Sequence, residues 1–85
     1  MFLHLGEEKS ISNKEIIGIF NYELVKKSKA TKEFIDIMTV DGVLQKVSED
    51  KEVKSFVVGN DKVFLSPISS VTLQNRILNY ISRNN

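Results

Sequence analysis

Val53-Lys54-Ser55-Phe56-Val57-Val58-Gly59-Asn60-Asp61-Lys62-Val63-Phe64-Leu65-Ser66-Pro67-Ile68-Ser69-Ser70 is the stretch from which the fold can be read. Val53 to Val58 and Lys62 to Ser66 are runs rich in β-branched and aromatic residues, joined by the polar, glycine-containing Gly59-Asn60-Asp61. A short join of that kind between two apolar runs predicts a β-hairpin. Pro67 has no N–H to offer a ladder and ends the second strand. Ser69 or Ser70 then caps a helix running to about Ser82, in which Leu73, Ile77 and Ile81 recur at i, i+4 and i+8, flanked by Val71, Leu78 and Tyr80. Arg83 near its end suits the negative pole of the helix dipole.

Upstream, residues 1–5 alternate, with Met1, Leu3 and Leu5 on one face and Phe2 and His4 on the other, which predicts a strand. Gly6-Glu7-Glu8 is a turn, and Lys9 to Ser12 a short polar strand with Ile11 as its buried residue. Ser12-Asn13-Lys14-Glu15 is a second turn, because Ser and Asn side chains bond back to the nearby backbone. Ile16-Ile17-Gly18-Ile19-Phe20 is a strand apolar on both faces, and its Gly18 signals a bulge or a close approach. Asn21 to Ala30 holds Lys26, Lys27 and Lys29 with no acid after Leu24, and reads as a mobile basic connection. A helix is expected from Thr31, as N-cap, to about Val40, with Gly42 in the left-handed position that ends it. Val43 to Ser48 reads as a strand and Glu49-Asp50-Lys51-Glu52 as a charged turn. The order is β-β-β-α-β-β-β-α, an α+β fold with a mostly antiparallel sheet.

Eighty-five residues are expected to form one domain over 1–85, small enough that its own core gives marginal stability. There is no cysteine, so neither a disulfide nor a thiolate–metal site supplements that core. Twelve basic and eleven acidic residues leave a net charge of +1, far from the excess of a strongly basic nucleic-acid binder. No apolar run approaches the ~20 residues that span a bilayer, and the N-terminal stretch lacks the basic start of a secretory signal. The expected compartment is the cytoplasm, with no membrane partner.

Catalytic chemistry finds little to use. His4 is the only histidine and stands on a strand without a nearby acid, so it is read as structural. One histidine cannot supply a zinc site, and the four glycines are too dispersed for a phosphate loop. Glu7-Glu8 and Glu49-Asp50 look like solvated turns. The chain is read as a non-enzyme with no cofactor, metal or small-molecule ligand. Two basic features remain: Lys26, Lys27 and Lys29 in the connection, and Lys51 and Lys54 about the charged turn, with Lys14 in another turn. Lysines in such places can reach phosphates, or can simply be solvated. The five Phe and two Tyr look like core and not a base-stacking platform. The doubly apolar strand from Ile16 to Phe20 is easiest to explain if its second face meets another subunit.

Several strings resemble the RemA/RemB family of bacterial extracellular-matrix (biofilm) regulators: Ile16-Ile17-Gly18-Ile19-Phe20 after Ser12-Asn13-Lys14-Glu15, Lys54-Ser55-Phe56-Val57-Val58, and Val63-Phe64-Leu65-Ser66-Pro67-Ile68-Ser69-Ser70 with Thr72-Leu73 and Arg76. Leu3-His4-Leu5-Gly6 favours the RemB branch. The resemblance implies a DNA-binding transcriptional regulator that forms a ring-shaped homo-oligomer. A ring would multiply each weak basic patch. In the RemA branch arginines contact DNA before the Ile-rich and Val-rich strands, and the matching positions here are Lys14, and Lys51 with Lys54, with Lys26, Lys27 and Lys29 as an auxiliary loop. Lysine keeps the charge without the bidentate fork, and Glu49, Asp50 and Glu52 surround the second site. An oligomeric protein-interaction module without DNA binding is the competing reading.

Overall fold

The computed structural model describes residues 1–83, with no account of the Arg83 side chain, so the expected role of Arg83 at the helix end lies outside what is described. Strands β1 (Phe2–Gly6) and β2 (Lys9–Ser12) form an antiparallel hairpin, followed by a 3-10 turn at Asn13–Glu15. Strand β3 (Ile16–Asn21) leads into helices α1 (Leu24–Lys27) and α2 (Lys29–Val40). Strands β4 (Leu44–Lys46), β5 (Ser55–Gly59) and β6 (Val63–Ser66) precede helix α3 (Ser70–Arg83). The main sheet has the order β3-β5-β6-β4.

The β5–β6 hairpin is the centre of that sheet, with Phe56 opposite Leu65 and Val57 opposite Phe64. Its alternation supplies two cores, because successive side chains point to opposite faces. Val57 and Phe64 meet Leu3, Leu5 and Ile11 of the β1–β2 hairpin and Leu73 of α3. Phe56, Val63 and Leu65 meet Ile35 of α2, with Phe34, Met38 and Val25 packed alongside. Leu3, Leu5 and Leu73 are essentially fully buried, each worth about 1.5–3 kcal/mol of apolar transfer. The sheet is thus clad on one face by a hairpin and a helix, and on the other by the helical connection.

All pairings are antiparallel except β4–β6, which is parallel. Parallel strands need a crossover. Here α1 and α2 cross from β3 at one edge to β4 at the other and lay β4 parallel to β3; β3 and β6 both run antiparallel to β5, so β4 is also parallel to its neighbour β6.

Two local expectations are corrected. The segment from Asn21 to Ala30 is not a mobile connection: Leu24–Lys27 is a helical turn, and α2 starts at Lys29. The N-cap of α2 is Ser28 and not Thr31, since the Ser28 hydroxyl accepts the Thr31 N–H at 3.2 Å. Ser-x-x is a good cap wherever it falls, and the lysine run hid it. The far end of α2 closes as expected. Gly42, with φ of 73°, donates its N–H to the Thr39 carbonyl, and Val43 donates to that of Met38, both at 3.2 Å. These are the paired bonds of a Schellman ending. At α3 the cap is Ser69, whose hydroxyl accepts the Thr72 N–H at 3.2 Å.

Buried serines stitch the layers together. Ser66 donates to the Leu5 carbonyl at 2.6 Å and accepts from the Ile68 N–H at 3.0 Å, while Ser55 donates to the Ile68 carbonyl at 2.7 Å. Among the described residues no buried side-chain N or O lacks a partner.

Candidate nucleic-acid interface

The six lysines singled out from the sequence are all exposed, but they do not form one patch. Lys14 sits in the 3-10 turn before β3, and Ile16 pairs with Gly59, so Lys14 lies at the Gly59 end of the sheet. Lys54 adjoins Ser55, which pairs with Asn21, so it lies at the opposite end. At about 3.3 Å per residue, the length of β5 separates the two ends by roughly 13 Å. The Lys54 backbone is fixed on both sides, donating to the Ser66 carbonyl at 2.8 Å and accepting from the Tyr22 N–H at 3.1 Å, which holds its side chain at a defined point of the rim.

Lys51 is near the Lys54 end, and its ammonium is 3.5 Å from the Glu7 carboxylate in the tip of the β1–β2 hairpin. That pair is exposed and contributes at most about 1 kcal/mol, yet it sets a negative charge beside the cation. Lys26 pairs with Glu23 at 3.8 Å. Lys14, Lys27, Lys29 and Lys54 have no ion-pair partner among the described residues. Lys26 and Lys27 project from a helical turn and Lys29 from the first turn of α2, so their spacing is set by secondary structure.

Sequence reading passed over three further basic residues. Lys46 and Lys62 are exposed, and the Lys9 ammonium lies 5.9 Å from the centre of the Phe64 ring. Lys9 and Lys62 line a cavity of about 290 Å³ with Phe2, which is 72% exposed. The signal was present: alternation already put Phe2 on the face opposite Leu3. The expectation that aromatic residues are core therefore holds for Phe56 and Phe64, which are buried, and fails for Phe2 and for Phe20, which is 39% exposed.

His4 donates through Nε2 to the Glu7 carbonyl at 2.7 Å, bracing the hairpin turn. No three His, Cys, Asp or Glu side chains among the described residues are grouped to hold a metal ion. No helix among them is long and apolar enough to cross a membrane.

Beside the lysines, a groove of about 440 Å³ runs along β3 on the helical face, lined by Ile17, Phe20, Leu24, Ala30, Phe34 and Phe56 among others. Two features of β3 shape it. The register shifts between Ile16 and Gly18, so Ile17 is a bulged residue. A Cβ at Gly18 would lie 2.6 Å from the Phe20 ring, so only glycine lets that ring fold back and stack on Phe56 at a centroid distance of 5.1 Å.

Comparison with known proteins bears on this arrangement. A family model described as extracellular matrix regulatory protein A-like (RemA-like) matches residues 2–77. Extracellular matrix regulatory protein B of Bacillus subtilis (strain 168) is 33% identical over 76 residues, covering 89% of this chain and 89% of that protein. The match takes in all six strands, the crossover helices and the capped start of α3, including the serine contacts and the Gly18 bulge described above. The chain belongs to the RemA-like family of extracellular matrix regulatory proteins.

Proposed function

We propose that this chain is a cytoplasmic DNA-binding transcriptional regulator of matrix (biofilm) genes and not an enzyme. It acts as a homo-oligomeric ring, each copy a single domain over 1–85, and grips the phosphate backbone. The observation that carries the reading is the set of exposed lysines at fixed points of the sheet rim and helices, four of them without an ion-pair partner among the described residues. Lys14 and Lys54 mark the two ends of the sheet, Lys51 stands beside Lys54, and Lys26, Lys27 and Lys29 add charge from the crossover. A duplex running along the rim of a ring would meet both ends of every copy. That repetition offsets a net charge of only +1 per chain. Phosphate contacts position the duplex, and any preference comes from its deformability.

Fluorescence anisotropy with a labelled duplex over a salt series tests this. Affinity should fall by roughly 0.9 log unit per log unit of salt for each phosphate neutralised. Lys14→Glu with Lys54→Glu should abolish binding while the oligomer persists. Absence of binding to any duplex at low salt would refute the reading. The Lys51–Glu7 pair, with Glu49, Asp50 and Glu52 nearby, favours a second reading in that event: an oligomeric module that binds a protein partner.

A further inference from the structure

From the edges of the sheets we infer that β3 is where a second copy docks, strand against strand, in an antiparallel two-fold pairing. The inference rests on the oligomeric part of the function proposed above and assigns it a surface. Proteins guard free strand edges with charge, proline, shortness or cover. Strand β4 is three residues long and carries Lys46. Strand β2 begins with Lys9. Strand β1 carries a charge on its backbone, the Arg76 guanidinium of α3 donating to the His4 carbonyl at 3.2 Å. Strand β3, Ile-Ile-Gly-Ile-Phe-Asn, is the longest and has neither charge nor proline. Helix α3 packs beside β3 as it does beside β1, yet the group it sets on this edge is the neutral Gln74 amide, 3.4 Å from the Ile19 carbonyl, a long bond that another strand can displace. Among the described residues the edge best matched to β3 in length and polarity is therefore β3 itself, which makes the contact isologous.

Apolar surface flanks this edge on both faces. On the helical face Ile17, Phe20 and Leu24 are 67%, 39% and 38% exposed, and along α3 on the other face Val71 and Leu78 are 63% and 59% exposed. At about 150–250 Å² for a large side chain, they leave on the order of 500 Å² of apolar surface open. A stable interface takes about 800 Å² from each partner, of which roughly 60% is non-polar. The patch therefore has the apolar area that one side of such an interface needs. An isologous contact stops at two copies, so the ring grows from this pair through a second contact elsewhere.

Light scattering coupled to size exclusion, with circular dichroism as the folding check, tests the assignment. Ile17→Lys restores the missing guard at an exposed position and should give a folded species of lower mass than wild type. Val40→Lys, at a residue 86% exposed on α2, should keep the wild-type mass. Hydrogen exchange on the unmutated protein gives a reading that needs no variant: residues 16–21 should be protected as strongly as residues 55–59. An Ile17→Lys protein of wild-type mass, or rapid exchange in residues 16–21 of an intact oligomer, overturns the interface and leaves the ring standing. A monomeric wild type overturns both.

Discussion

Removing one oxygen atom, by Ser66→Ala, should cost more stability than removing any of the exposed lysines. Ser66 is fully buried, and its hydroxyl joins the Leu5 carbonyl to the Ile68 N–H at 2.6 and 3.0 Å. The Leu5 carbonyl lies where the β1–β2 register shifts, between His4 and Gly6. Alanine fills nearly the same volume but satisfies neither group. The buried Leu5 carbonyl costs about 1–3 kcal/mol when orphaned and the half-buried Ile68 N–H about 1 kcal/mol, so the loss should be about 2–4 kcal/mol. A chain of this length has only about 4–13 kcal/mol in all, at about 0.05–0.15 kcal/mol per residue. The melting temperature should fall by roughly 10–25 °C. The assay is urea and thermal unfolding followed by circular dichroism at one fixed protein concentration, since subunit dissociation is linked to unfolding. Ser69→Ala, which removes the α3 cap, is the internal standard at about 1 kcal/mol. The reasoning fails if Ser66→Ala costs no more than Ser69→Ala.

Other outcomes follow from the same geometry. Gly18→Ala should push the Phe20 ring off Phe56 and cost about 1–3 kcal/mol of stability, seen in unfolding curves; an unchanged midpoint would mean that the ring has another place to go. Gly42→Ala should cost about 1–2 kcal/mol because φ there is 73°, although open space surrounds the site, and Gly42→Asn should recover part of the loss. Lys51→Gln should weaken duplex binding less than Lys54→Gln, because Glu7 already offsets the Lys51 charge; equal losses by anisotropy would show that the pair opens on DNA. His4→Gln should leave oligomer mass and duplex affinity within error of wild type, and a tenfold loss, about 1.4 kcal/mol, would reveal a role beyond the hairpin turn.

Much of the fold was legible because its signals are local. The Gly59-Asn60-Asp61 join, the Ser69 cap, Gly42 and the alternation of Leu3 and Leu5 against Phe2 each state a backbone requirement within a few residues. The parallel β4–β6 pair was not legible: strand order depends on where the crossover lands, and nothing inside Leu44-Gln45-Lys46 records its neighbour. Helix α1 was hidden for a different reason. Its four residues include two lysines, and Val25 alone turns into the core among Tyr22 and Phe34, too few positions to show a period.

The candidate site was less legible than the fold, and the reason is physical. The strings by which the chain resembles its family, such as Val63-Phe64-Leu65-Ser66-Pro67-Ile68-Ser69-Ser70, hold residues whose contacts tolerate little change. Phe64 fills the core, Ser66 satisfies two backbone groups, and Ser69 caps a helix. A phosphate contact asks only for a flexible cation within reach of a rim, so lysine can move by a residue and still serve. Sequence therefore identifies such a fold more sharply than the cations mounted on it. Structure adds what spacing along the chain does not show: Lys14 and Lys54 stand at opposite ends of β5, and Lys51 faces Glu7. Among the described residues, Lys14 and Lys54 of a single copy are thus separated weak points, with Lys26, Lys27 and Lys29 apart from them on the crossover helices. On the function proposed above, an assembly that repeats both points along one path turns them into a binding surface, so the β3 edge and the scattered lysines bear on one question: whether oligomerisation comes before any grip on DNA.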